Sequence, residues 1–150
     1  MLKHILFFFV FSCSVFAYDR VYFLPNEAKE VKNQIISLIE NADRSIDIAM
    51  YSIDEKDFTK ALKKASKNGV KITVFYGKTK LKFHKKIDLI ETKRKQHIKL
   101  AIIDDKTVIY GSANWKKESF GKNYEIINIT DESLKVQRFV DIMDQLKNEN

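Results

Sequence analysis

Apolar residues recur along the chain with two different periods, and the places where one period gives way to the other predict its elements. After Pro25, Val31, Ile35, Leu38, Ile39 and Ala42 repeat at helical spacing, which predicts a helix to about Ala42 with Asn26 as its N-cap. From Ser45 to Tyr51 the period shortens to two, with Ile46, Ile48 and Met50 on one side, as in a strand. A second helix follows from about Glu55 to Asn68, burying Phe58, Ala61, Leu62 and Ala65 and ending at Gly69. Val70 to Tyr76 is a β-branched and aromatic run, hence a strand. The helix between the two strands predicts a parallel pair with a right-handed crossover.

Beyond Gly77 the pattern is less regular. Lys78 to Lys95 is mostly polar, and Ile87, Leu89 and Ile90 fit either a short strand or a turn of helix. Ile98–Ile103, Val108–Tyr110 and Tyr124–Ile129 are further strand candidates. A last helix from Glu132 to about Lys147 buries Val136, Phe139, Val140 and Met143. No repeat, low-complexity linker or domain boundary interrupts this alternation, so residues 18–150 are expected to form one domain.

The first 17 residues stand apart. A basic start (Lys3, His4), an apolar run from Ile5 to Phe16 and the small-residue end Val15-Phe16-Ala17 read as a secretory signal peptide. The run is short of the ~20 residues that span a bilayer. An uncleaved anchor is the alternative, and Phe11 fits a lipoprotein signal at Cys13 poorly. The expected location is periplasmic or secreted, with membrane association if the segment is retained. Cleavage after Ala17 would remove Cys13 and leave a chain without disulfides or thiolate metal sites.

Charge changes the picture further. The net charge is +7, and the excess is uneven: Lys78 to Lys99 holds nine Lys or Arg against Asp88 and Glu91. Such a tract attracts polyanions through counterion release without reading sequence; a solvated surface with no partner is the bland alternative. Phe75, Tyr76 and Phe83 flank it, Phe75 more as a core residue than as a stacking platform.

One segment concentrates chemistry: "HIKLAIIDDKTVIYGSANW", residues 97–115. In an extended strand His97 and Lys99 share a face while Ile98, Leu100 and Ile102 take the other. With Asp105-Lys106 as a two-residue turn, the returning strand would set Ser112 opposite Lys99 and Asn114 opposite His97. An imidazole, an ammonium, a hydroxyl and an amide on one patch suit a phosphodiester. The imidazole attacks phosphorus or moves a proton, and the other groups hold the non-bridging oxygens as charge develops. This arrangement requires no divalent metal and no cofactor.

The spacing His97-x-Lys99-x4-Asp104-x6-Gly111-Ser112-x-Asn114 resembles the HKD signature of the phospholipase D superfamily at six positions within 18 residues. "IDIAMYSI" and "NGVKITVFYG" resemble the strands that precede the motif in that family, and Asn123 and Glu125 in "NYEIINIT" resemble its downstream Asn-x-Glu element. With a single motif in about 150 residues, the chain looks most like the small bacterial EDTA-resistant endonucleases. The fold this implies is α/β, a mixed, largely parallel β-sheet flanked by helices on both faces.

The resemblance implies that His97 is the catalytic nucleophile forming a phosphohistidine. Lys99, Ser112 and Asn114 would bind the phosphate, and Glu125 would orient the imidazole. Asp104 is assigned a structural part at the turn, with Gly111 and Asn123 in support. Lys93, Arg94, Lys95, Lys116 and Lys117 are candidate nucleic-acid contacts, while Trp115 is read as core rather than as a base-stacking residue.

In-line displacement needs nucleophile and general acid on opposite sides of phosphorus, so one imidazole cannot fill both roles in one step. Past the leader the chain offers only His84 and His97, and His84 lacks the motif around it. Two chains about a two-fold axis, each lending one His97, would satisfy the geometry; single-motif members of the superfamily work this way. The expected partners are therefore DNA or RNA as substrate and a second copy of the chain. A phospholipase or cardiolipin hydrolase at a membrane, and a polyanion-binding module without turnover, are the alternatives.

Overall fold

The period-two run beginning at Ser45 becomes the centre of the molecule, because its side chains are buried on both faces. In the computed structural model, which describes residues 17–79 and 82–150, it forms β2 (Ser45–Ile53). Ile46, Ile48, Met50 and Ile53 enter one apolar cluster and Ala49 the other. The crossover predicted from the alternation is present: β2, α2 (Lys56–Lys67) and β3 (Lys71–Thr79) make a parallel β–α–β unit with Ile46 beside Ile72 and Ile48 beside Val74. Gly69 ends α2 with φ of +97°, a conformation that costs glycine little.

Around this unit lie β1 (Asp19–Leu24), α1 (Ala28–Glu40), β4 (Ile87–Glu91), β5 (Lys99–Ile103), β6 (Thr107–Gly111), α3 (Lys117–Gly121), β7 (Glu125–Thr130) and α4 (Ser133–Glu149). The seven strands form one sheet in the order β1-β7-β6-β5-β2-β3-β4. Helices α1 and α2 cover one face over Val31, Ile35, Ile39, Phe58 and Leu62, and α4 covers the other through Val136 and Met143. The mixed sheet between helices is as expected. The expected bias toward parallel pairing is not: only β2–β3 and β3–β4 are parallel, and the other four pairs run antiparallel. Between β5 and β6 only three residues intervene, far too few for the crossover that parallel neighbours need.

Three local expectations change. Ile87, Leu89 and Ile90 resolve as strand β4, in register with Ile72, Val74 and Phe75. Strand β1 has no counterpart among the predicted elements; its Tyr22 and Leu24 are buried, whereas Val21 and Phe23 on the other face are exposed. Asn26 does not cap α1, since Glu27 takes the cap position and its carboxylate accepts from the Phe23 N–H at 2.7 Å. The signal-peptide reading of residues 1–17 falls outside the described residues except at Ala17, and so does Lys80 of the basic tract. Among the described residues no helix is long and apolar enough to cross a membrane.

Candidate active site

The site forms where the carboxyl ends of β2 and β3 meet the start of β5, the end of β6 and the start of β7. Lys99 pairs with Met50, and Glu125 pairs with Leu24 at the same end of the sheet. Parallel strands bring their carboxyl ends together, which is where open α/β sheets commonly place their ligands.

His97 lies on the exposed approach to β5, and its main chain is fixed from both sides. The Gln96 side-chain oxygen accepts from the Ile98 N–H at 2.5 Å, and the Lys99 ammonium donates to the His97 carbonyl at 2.8 Å. The ring tilts against Tyr51, centroids 6.0 Å apart, and no hydrogen bond among the described residues holds it. Burial holds the Lys99 ammonium below the usual lysine range, and attraction to the Glu125 charge opposes that shift. One of its three protons is committed to His97, leaving two for a ligand.

The hairpin departs from the expected register by one residue. Asp104 and Asp105 both pass through the left-handed region (φ of +55° and +54°), Lys106 N–H donates to the Ile103 carbonyl at 3.0 Å, and Ile103 pairs with Thr107. Leu100 then faces Tyr110, so continuing the ladder brings Lys99 opposite Gly111 rather than Ser112. Asn114 leaves the hairpin altogether, its side-chain oxygen accepting from the Ser52 N–H on β2 at 3.3 Å, instead of standing opposite His97. The reason is Trp115, 1% exposed and packed at a tilt against Phe58 with ring centroids 4.7 Å apart, which draws the chain toward α2. Its carbonyl accepts from the Asp54 and Glu55 N–H groups, both at 3.0 Å. Trp115 is therefore core.

Ser112 and Glu125 still meet. The Ser112 hydroxyl donates to a Glu125 carboxylate oxygen at 2.5 Å and accepts from the Ile126 N–H at 3.1 Å, while the Asn123 amide donates to the other carboxylate oxygen at 3.4 Å. Within one chain Glu125 thus bonds Ser112 and Asn123, not the imidazole. Gly111 permits this contact, because a β-carbon there would fall 2.1 Å from the Ile126 carbonyl oxygen.

Asp104 points away from the site. It is nearly buried, and its carboxylate accepts from the Asp43, Arg44 and Ser45 N–H groups at 2.9, 2.7 and 2.9 Å. Burial pushes its carboxyl up, but these three backbone donors and the Arg44 charge outweigh it and hold it below the usual range.

The basic candidates are dispersed. Arg94 and Lys95 are exposed on the rim of a cleft of about 510 Å³ beside His97. Lys93 is tied to the end of α4, its ammonium donating to the Glu149 carbonyl and its N–H to Asn150, both at 2.8 Å. Lys116 sits 3.9 Å from Asp54, and Lys117 opens α3 in solvent. Among the described residues no three His, Cys, Asp or Glu side chains converge to hold a metal ion.

Tyr51, Gly77 and Gln96 escaped the sequence reading. A β-carbon on Gly77 would lie 2.6 Å from the Tyr51 ring, so this glycine makes room for the tyrosine ring beside His97. The only signal in sequence was a glycine ending a strand that a tyrosine-bearing strand neighbours.

A sheet of this topology with histidine, lysine, serine and carboxylate gathered at one end defines a phosphodiester hydrolase of the phospholipase D class. The family described as "Cardiolipin synthase, PLD-like domain" matches residues 35–147, and the chain belongs to it. Among solved structures it is similar to NucT from Helicobacter pylori (27% identity, 89% of this chain and 97% of that one, TM-score 0.78). It is also similar to the phospholipase D family member Nuc from Salmonella typhimurium (24%, 89% and 95%, TM-score 0.74). Its fold recurs in polyphosphate kinase from Porphyromonas gingivalis (15%, 89% and 26%, TM-score 0.71). A comparison with curated proteins gives no match.

Proposed function

We propose that the protein is a metal-independent endonuclease that cleaves DNA or RNA through a covalent phosphohistidine, at a site completed by a second copy of the chain. The observation that carries this reading is the exposed His97 imidazole, beside a partly buried Lys99 and the Ser112–Glu125 pair, with the second histidine of the described chain engaged elsewhere: His84 Nδ1 lies 3.2 Å from the Ser66 hydroxyl.

In the first step a neutral His97 nitrogen attacks phosphorus, a P–N bond forms and the P–O bond to the leaving nucleoside breaks. His97 of a second copy, protonated, gives its proton to the departing oxygen. In the second step water attacks phosphorus and the P–N bond breaks, while that second imidazole takes the water's proton. Lys99 and the Asn114 amide hold the non-bridging oxygens, and Glu125 stabilises the imidazolium across the interface.

An apolar surface supports the second copy. On the sheet face opposite α1, Val21 (57% exposed), Phe23 (46%) and Ile126 (50%) adjoin Tyr124 (83%), whose ring stacks on Phe23 at 5.8 Å. Tyr124 and Ile126 flank Glu125, so the patch lies on the sheet face opposite the Glu125 carboxylate but at the same end of the sheet, and exposed apolar patches of this kind mark interfaces.

The test is an acid quench of the protein with a phosphorus-labelled oligonucleotide in excess chelator. Label on His97, absent in His97→Asn, is the expected result; turnover with no labelled protein, or activity near wild type in His97→Asn, contradicts the reading.

A further inference from the structure

Helix α2 spends its apolar residues, Phe58, Ala61, Leu62 and Ala65, on the core, and its outer face is a line of exposed lysines: Lys56, Lys60, Lys63, Lys64 and Lys67. Lys60, Lys63, Lys64 and Lys67 line a concavity of about 320 Å³. Lys60 pairs with Asp57 at 3.4 Å and Lys64 with Glu40 at 2.8 Å, while no ion pair engages Lys56, Lys63 or Lys67 among the described residues.

Residues 82–86, which lead into β4, lie against this face. Phe83 packs into the core, His84 bonds Ser66 of α2, and Lys82, Lys85 and Lys86 are exposed beside it. None of these groups reaches the catalytic end, because Ile87 pairs with Ile72 at the opposite end of the sheet.

We propose that the α2 lysine line, with His84 and the lysines flanking it, is a second binding site for the phosphodiester backbone of the polynucleotide, guiding it away from His97. The inference rests on the nuclease reading. The line starts beside the site: Lys56 follows closely on Ile53, which bridges Trp115 next to Asn114. From Lys56 to Lys67 a helix advances about 16 Å, which matches about five phosphates along one duplex strand. A lipid surface fits less well. Membrane-surface helices insert an apolar face, and the apolar face of α2 is in the core. None of the exposed large apolar residues is on α2 or at residues 82–86.

Desolvation, then the charges of Lys67, Lys63, Lys86 and Lys85, hold His84 below the usual histidine range. A bound phosphate reverses the sign of that field, so His84 should titrate at higher pH in the complex, reporting occupancy of this site alone.

The experiment compares the full protein with the variant Lys60→Gln/Lys63→Gln/Lys67→Gln, both carrying His97→Asn for binding and native His97 for turnover. Probes are a 30-nucleotide strand, a 4-nucleotide strand, bis(p-nitrophenyl) phosphate and phosphatidylglycerol vesicles. The expected result is a weakening for the 30-mer of about 10-fold and a salt slope shallower by about 2. Affinity for the 4-mer and hydrolysis of the small diester should hold, and the His84 ring should shift its titration upward with the 30-mer.

Equal 30-mer affinity and slope in both proteins, or an unmoved His84 titration at saturating 30-mer, overturns the inference. Loss of vesicle binding with 30-mer binding intact also overturns it, in favour of a membrane surface. If binding changes as expected but neither protein hydrolyses any diester, the catalytic reading fails and this site stands.

Discussion

A β-carbon on Gly111 would lie 2.1 Å from the Ile126 carbonyl oxygen, with backbone rather than a mobile side chain in the way. Gly111→Ala must therefore push β6 from β7 beside the Ser112–Glu125 pair. We expect a loss of about 1–3 kcal/mol by urea unfolding, with catalysis falling more than substrate affinity. A second prediction at this scale concerns Lys99. Its ammonium must be charged to hold a phosphate, and burial destabilises that form while Glu125 favours it. The alkaline limb of kcat/KM should fall below the ordinary lysine range. Glu125→Gln removes the favourable charge and should move the limb to still lower pH. A profile on a small diester checks this, and an unmoved or raised limb contradicts it.

At the scale of elements, Asp104 ties the β5–β6 turn to the corner between α1 and β2, satisfying three backbone N–H groups. Asp104→Ala orphans them and should cost about 2–4 kcal/mol in urea unfolding at neutral pH. The native carboxyl titrates below its unfolded value of about 3.9, so its contribution is complete above that value and is lost as pH falls through the lower native one. The gap between variant and wild type should narrow in acid. Trp115 does similar work from the other side, pinning the end of the motif to α2 through Phe58 and to the β2–α2 corner through its carbonyl. Both anchors join segments about sixty residues apart, which explains why local pattern placed them only as "turn" and "core".

For the whole molecule, the proposed activity depends on a second chain covering Val21, Phe23, Tyr124 and Ile126. Phe23→Lys/Tyr124→Lys should convert a dimer to monomer in sedimentation equilibrium and cut activity, with His97 chemically intact; full activity as a monomer contradicts a shared site. What the sequence determined by itself was α1, α2, α4 and the parallel β2–β3 unit, which follow from side-chain alternation and helical repeat, both local properties; the set His97, Lys99, Gly111, Ser112 and Glu125 was legible through its resemblance to the phospholipase D signature. The tertiary structure alone decided that β1 joins β7 across the chain, that antiparallel pairs dominate and that the hairpin shifts by one residue. It also decided that Asn114 turns to Ser52 and that Tyr51, Gly77 and Gln96 frame the imidazole. Each of these depends on distant backbone competing for the same hydrogen bonds and the same space, a competition that no local period encodes.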